Sequence, residues 1–219
     1  MAGSRKTARK MTWRELLGQQ IFQGIRAAGQ SNPSPQYLQS QAVAQFAWPM
    51  VRPALEVVRT GFTSKLTKQP AASAWYKANY AAIIGASTAP SISPVPADWI
   101  FTKGTMTPTP YTTAAVASAG AKTVTIHFQA GNADITQANT DFPLVVIYNA
   151  DQQKTIGIAF GPGSNNRTTL AGTLIVNTPT GFMAVGDEIH IYLGWYGAPT
   201  TPNAGTSSTS VEESVTAVA

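Results

Sequence analysis

The sequence contains no cysteine and only two histidines, and Asp, Glu, Lys and Arg together make up 11% of it. The missing cysteines exclude a disulfide scaffold, a thiolate zinc site and a cysteine nucleophile. Two histidines leave little for metal or acid–base chemistry, so no active site, metal or cofactor is expected. The low charge stands against an average of about 25% and favours surfaces built for close contact with other chains. No apolar run approaches the roughly 18 residues of a membrane-spanning helix. No basic start leads into an apolar stretch with a small-residue cleavage site, so no secretory signal is read. What is present is 219 residues, 43% of them hydrophobic, with 18 glycines, 15 prolines and much Thr, Ser and Ala. At roughly 150 residues per domain this is one domain or two modest ones.

The charge is unevenly placed. Residues 1–26 hold Arg5, Lys6, Arg9, Lys10, Arg14 and Arg26 against Glu15 alone and account for the whole net charge of +5, while residues 27–219 hold nine charges of each sign. A neutral body with a cationic arm has no broad basic face with which to read a duplex. The arm suits salt-dependent, sequence-independent neutralisation of phosphates, with Arg5, Lys6, Arg9, Lys10 and Arg14 as the contacting residues.

Thr12 followed three residues later by Glu15 fits a capping box and predicts a helix over residues 12–28. Trp13, Leu17, Ile21 and Ile25 fall on one stripe of that helix, which is expected to pack on the body or on a neighbouring subunit as an oligomer interface. Gly18 and Gly24 weaken it by roughly 1 kcal/mol each. Gly29–Pro35 reads as a linker. From Gln36 to Phe62 apolar residues recur at helical spacing, interrupted by Pro49 and Pro53, which predicts a kink or two abutting helices ending near Gly61. A further helix is expected over Ala71–Ile84, with Trp75, Tyr76, Asn79, Tyr80, Ile83 and Ile84 forming an aromatic stripe against the core.

Pro90, Pro94 and Pro96 mark a change of class. Strands are expected at Ile100–Thr107, Thr123–Gln129, Pro143–Tyr148, Lys154–Phe160, Arg167–Val176, Glu188–Tyr196 and Ser207–Val218, separated by turn signals such as Asn149–Gln153 and Gly161–Asn166. Val124, Ile126 and Phe128 alternate onto one face, as do Ile189, Ile191, Leu193 and Trp195. The fold class is therefore α+β: a basic arm and helices followed by an antiparallel, immunoglobulin-like β-sandwich of about seven strands. Residues 1–35 form the arm, amphipathic helix and linker, residues 36–86 the helical segment, and residues 97–219 the sandwich.

Candidate chemistry is sparse. His127 and His190 fall on strand faces opposite the apolar ones, with no acid or nucleophile that spacing alone brings near, and are expected to face solvent or an interface. Asp187-Glu188 reads as a turn and strand start, and Glu212-Glu213 as edge charge that discourages unwanted pairing. Asn166-Arg-Thr168 matches a glycosylation sequon without an accompanying export signal. Gly161-Pro-Gly163 returns to a strand pattern and so lacks the helix of a phosphate cradle.

Taken in order, Gln45-Phe46 to Pro53, Arg59-Thr-Gly-Phe62, Trp75 to Tyr80 with Ile84-Gly85, Tyr148-Asn149, and Gly186-Asp187 with Ile189-His-Ile-Tyr-Leu-Gly194 form a set. It resembles an uncharacterised domain-of-unknown-function family frequent in Bacteroidota. In that family a helix ends in a similar Gly-Phe, a helix rich in Ala, Asn and Tyr ends before a glycine, and a β-domain carries a Tyr-Asn pair and a late Gly-Asp strand. The resemblance covers residues 36–197. It departs at the N-terminus, where the family is glycine-rich and this chain has a basic arm and amphipathic stretch. It implies a helical part followed by a sandwich, and no activity.

Two functional expectations follow. The first is a non-enzymatic structural assembly protein, most concretely a capsid or coat subunit of a small bacteriophage. It would sit in the virion after assembly in the host cytoplasm, making a homo-oligomeric shell with the arm on the packaged genome. The second is a binding module that grips a glycan or protein through loops around 132–139, 161–166 and 198–205. Neither involves a membrane span or a small-molecule substrate.

Overall fold

The computed structural model describes residues 11–16, 19–24, 33–63, 69–129, 141–161, 170, 172–199 and 204–219. The expected amphipathic helix over residues 12–28 is corrected. Met11–Leu16 (β1) and Gln19–Gly24 (β2) are strands paired antiparallel, with Trp13 opposite Phe22 and Arg14 opposite Ile21. The register places Trp13 and Ile21 in different cross-strand pairs, so the stripe expected of a helix is not formed. The two glycines and the β-formers Trp13, Ile21 and Phe22 decide for the hairpin.

Helix α1 runs over Pro35–Val51, with the Ser34 hydroxyl accepting from the Tyr37 N–H at 3.3 Å and Pro35 in the first turn. Pro49 sits in its last turns and Pro53 ends it, and after a short turn α2 follows over Leu55–Gly61. These are the two abutting helices that the prolines predict. Helix α3 occupies Ala71–Ile84 and stops at Gly85. Asn79 in its middle is fully buried; its amide donates to the Trp75 and Ile100 carbonyls, both at 2.9 Å, and accepts from the Ile100 N–H at 2.7 Å. This pins α3 to the segment that leads from the one-turn 3-10 helix Pro96–Asp98 into the sandwich.

Seven strands follow: Tyr111–Ser118 (β3), Thr123–Phe128 (β4), Phe142–Asn149 (β5), Lys154–Ala159 (β6), Thr173–Asn177 (β7), Glu188–Tyr196 (β8) and Val211–Thr216 (β9). They form one antiparallel sheet of order β3-β4-β7 and another of order β6-β5-β8-β9. Relative to the immunoglobulin constant arrangement, the fourth strand has left the fifth and joined the third, giving sheets of three and four. One expected strand is replaced. Residues 100–107 make only isolated bridges, at Lys103 to Phe62 and at Met106 to Ser208, while β3 takes the first strand's place.

The inward faces of the two sheets share one core, in which Val124, Ile126 and Phe128 meet Val145, Ile147, Ile189, Ile191 and Trp195. The outward face of the four-stranded sheet forms a second core with the helices. There Leu144, Val146, Tyr148 and Tyr192 pack with Val43, Val58, Trp75, Trp99 and Phe101. Every residue of β5 is therefore buried, as a continuous apolar strand between two layers requires. The layers are drawn close by glycines. A Cβ on Gly157 of β6 would lie 2.5 Å from the Ala54 Cα, and one on Gly194 of β8 would run into the Thr102 side chain. The sandwich is closed on one side, where Val218 donates to the Ala117 carbonyl at 2.8 Å and a Glu213 carboxylate oxygen accepts from the Ala115 N–H at 3.0 Å. On the other side β6 and β7 end their sheets.

Candidate functional site

The alternation of β8 assigns its side chains to the two cores. Ile189, Ile191, Leu193 and Trp195 point between the sheets, and Glu188, His190 and Tyr192 point toward the helices. Register then assembles neighbours that sequence spacing does not show. His190 lies opposite Tyr148 of β5 and Ser214 of β9, and Glu212 lies opposite Tyr192, one diagonal step from His190. Across that diagonal His190 Nδ1 is 2.7 Å from Glu212 Oε1, and its Nε2 is 3.4 Å from Glu188 Oε1. The expectation that His190 faces solvent or an interface is corrected: it is 4% exposed. The face opposite the apolar one is itself covered, by Phe46 of α1 and by Pro94–Ala97. His127 is half-buried on the outer sheet face, 3.4 Å from the Thr173 hydroxyl. Glu212 and Glu213 lie on β9, which is an edge strand, and there they are also partners of His190 and of the Ala115 N–H.

Aromatic rings frame this cluster. Tyr148 stacks on His190 with ring centroids 6.1 Å apart and tilts against Trp99 at 5.1 Å, and Trp99 meets Phe46 edge-on at 5.9 Å. The Tyr192 hydroxyl donates to the Pro96 carbonyl at 2.8 Å. Burial pushes the Tyr148 hydroxyl up to about 12, with the Asp151 carboxylate adding to the shift. Burial, then Glu212, pushes Tyr192 further. Both hydroxyls therefore remain protonated around neutral pH. Between Phe46, Pro94–Ala97, Tyr148, Gln153, Glu188 and His190 lies an open cleft of about 440 Å³.

A second polar group sits beside it in the turns. Asp187 accepts from the Asn149 amide at 2.7 Å, the Gln152 amide at 2.6 Å and the Ala184 N–H at 2.8 Å. These bonds, the Asn149 one foremost, hold its carboxyl below the usual carboxylate range. The Asn149 amide also donates to the Phe182 carbonyl at 2.9 Å. Tyr148-Asn149 and Gly186-Asp187 thus meet in one structural knot between the β5–β6 turn and the start of β8.

Chemically, the carboxylate on His190 Nδ1 orients the imidazole as in a general-base pair. Its Nε2 faces Glu188, however, and among the described residues no hydroxyl is hydrogen-bonded to it. Among the described residues no group of three or more His, Asp or Glu is arranged to hold a metal ion.

A third feature is the outer face of the three-stranded sheet. Val116, Thr125 and Ile175 form one row across β3, β4 and β7, with Val116 47% and Ile175 59% exposed. None of the residues of these three strands is Asp, Glu, Lys or Arg. Just past the end of β7, Lys122 of the β3–β4 turn donates to the Thr180 hydroxyl at 3.2 Å.

Of the residues expected at sites, Arg5, Lys6, Arg9, Lys10, Leu17 and Ile25 lie outside the described residues, and Trp13, Arg14 and Ile21 belong to the β1–β2 hairpin. Loop residues 132–139, 162–166 and 200–203 also lie outside them, as does the sequon. The His190 cluster was missed because only register and the covering segment create it. Its one sequence signal is Glu188-x-His190-x-Tyr192, three polar or amphipathic side chains on one strand face. No helix among the described residues is long and apolar enough to cross a membrane.

No curated protein and no solved structure matches the chain. A family model described as a family of unknown function, DUF6266, matches residues 16–208, which takes in β2, the three helices and strands β3 to β8, His190 and Glu188 included, and stops short of β9. The order of helix, glycine and strand motifs from Phe46 to Gly194 is thereby accounted for, and the chain belongs to the DUF6266 family of unknown function.

Proposed function

We propose that the protein is a non-enzymatic assembly subunit, most concretely a coat subunit of a small bacteriophage that self-associates into a homo-oligomeric shell. The observation that carries this reading is the uncharged outer face of β3-β4-β7. Solvated antiparallel sheets ordinarily present polar side chains outward and protect their edges with lysine or proline. Here Thr, Ala, Val, Ile, Asn177 and the half-buried His127 face outward, and β7 ends the sheet with no Asp, Glu, Lys or Arg in the strand. A second copy laid on this face or paired along β7 would desolvate no Asp, Glu, Lys or Arg of these strands.

The arm supplies the other half of the reading. Arg5, Lys6, Arg9 and Lys10 precede a body with no net charge. Many copies of a weak phosphate contact on one shell add up to firm, salt-sensitive retention of nucleic acid. Mass photometry and light scattering of the full chain, at low and high salt and with and without single-stranded nucleic acid, test this. Closed multi-subunit particles whose absorbance at 260 nm disappears on deletion of residues 1–10 are the expected result. A monomer under every condition overturns it and leaves binding through the loops of the sandwich as the alternative.

A further inference from the structure

The cleft over His190 has properties that assembly does not use. It is of the size of small-ligand sites, which run from about 300 to 1,000 Å³. Two of its walls are the rings of Phe46 and Tyr148. Tyr148 is 3% exposed, lines the cleft, and its hydroxyl has no hydrogen-bond partner among the described residues. The hydroxyl oxygen is open to the cleft rather than sealed in the core, so a ligand there can pair with it.

Carboxylates predominate around the cleft. Glu188 lines it, Glu212 lies directly behind His190, and the Asp151 carboxylate accepts from the Glu188 N–H at 2.6 Å. Asp98 follows Ala97 of the cleft wall in the Pro96–Asp98 turn. Lys154, at the start of β6, keeps its positive charge but directs its donors to the Gln152 side-chain oxygen at 2.8 Å and the Gly181 carbonyl at 2.6 Å, and it does not line the cleft. Even a protonated His190 offsets only one of the three carboxylates Glu188, Glu212 and Asp151. An anionic ligand would be repelled, and a purely apolar one would strip water from Glu188 and leave Tyr148 unpaired. A cation satisfies both groups and gains from the Phe46 ring.

We propose that this cleft is a binding site for an organic cation, an ammonium or guanidinium group. The cation is held by the Glu188 carboxylate, donates to the Tyr148 hydroxyl oxygen, and lies against the Phe46 ring. The group has two possible sources, a basic side chain of the Arg5–Lys10 arm or a free small molecule, and both present the same chemistry to the cleft. The proposal goes beyond assembly and does not depend on it.

The two histidines of the chain make the test direct. In full-length protein labelled with 15N-histidine, His190 reports the cleft and His127, on the outer sheet, serves as internal control. Titration with methylguanidinium and with methylammonium is expected to shift the His190 imidazole signals saturably while His127 stays in place. E188Q is expected to abolish saturation, and Y148F, which keeps the ring, to weaken binding about tenfold. Both variants retain a dispersed spectrum if folded, which separates lost binding from lost structure. Absence of a saturable His190 shift, an equal response to acetate, or parallel movement of both histidines overturns the proposal. The combined variant R5Q/K6Q/R9Q/K10Q identifies the source. If the arm is the occupant, removing its charge moves His190 to the unbound position before any titration. If a free molecule is the occupant, wild type and variant start alike and titrate alike.

Discussion

The two sheets of the sandwich handle charge in opposite ways. The four-stranded sheet carries Lys154 and Glu188 at exposed strand ends and Glu212 and Glu213 at half-buried positions on its edge, and it buries His190 against two carboxylates. The three-stranded sheet has one face open, yet none of its strand residues is Asp, Glu, Lys or Arg. Solvation alone would place charge on the open face, because desolvating an ion is expensive and exposing one is nearly free. A buried histidine paired to two carboxylates calls for a local chemical reason, and the cleft beside it supplies one. A bare exposed sheet calls for a partner surface, and a second copy of the chain supplies one.

The comparison can be broken or sharpened by substitution. The largest effect is expected where the two sheets depend on each other. Trp195 is fully buried and meets Phe128 edge-on at 4.9 Å, so Trp195→Ala should cost about 3–5 kcal/mol in urea unfolding. Next comes the contact that covers the four-stranded sheet. At Gly157→Val the new side chain meets the Ala54 backbone, and a loss of about 1–3 kcal/mol is expected, with the helical layer displaced and the cleft widened.

A smaller and pH-dependent effect belongs to Asp187. Its folded pKa is lowered by Asn149, Ala184, Gln152 and Lys154, so its contribution is present above the unfolded value of about 3.9 and fades as pH falls through the folded value. Denaturant midpoints of wild type should drop below about pH 4 more steeply than those of Asp187→Asn. The smallest effect on stability, within about 0.5 kcal/mol, is expected for Ile175→Lys on the open face, where association should be what changes.

What the sequence reveals and what it hides divide along the same line. Alternation in Val124–Phe128 and Ile189–Trp195 locates the inter-sheet core directly, because a strand with one apolar face has a period of two. The prolines at 49 and 53 locate the break between α1 and α2. Strand β3 escapes because it buries only Ala115 and Ala117, whose small side chains leave no apolar rhythm, and because its pairing with β4 shifts register twice. The β1–β2 pair reads as a helix because Trp13, Leu17, Ile21 and Ile25 recur at helical spacing, and that spacing does not show the reversal that sets Trp13 opposite Phe22. The His190 cluster is invisible in the sequence because it joins residues 22 positions apart through the register of β8 and β9 and is roofed by Phe46 and Pro94–Ala97. Composition does carry the other half of the comparison: the low charge of the whole chain is concentrated, in its extreme form, on the one open sheet.

That face is therefore the place to measure. Mass photometry of the full-length protein beside Ile175→Lys, at matched concentration and after confirming equal thermal stability, tests the central claim that the uncharged sheet is a contact between copies. The account predicts multi-subunit particles for wild type and monomers for Ile175→Lys. Wild type that remains monomeric, or a variant that assembles as wild type does, would contradict it.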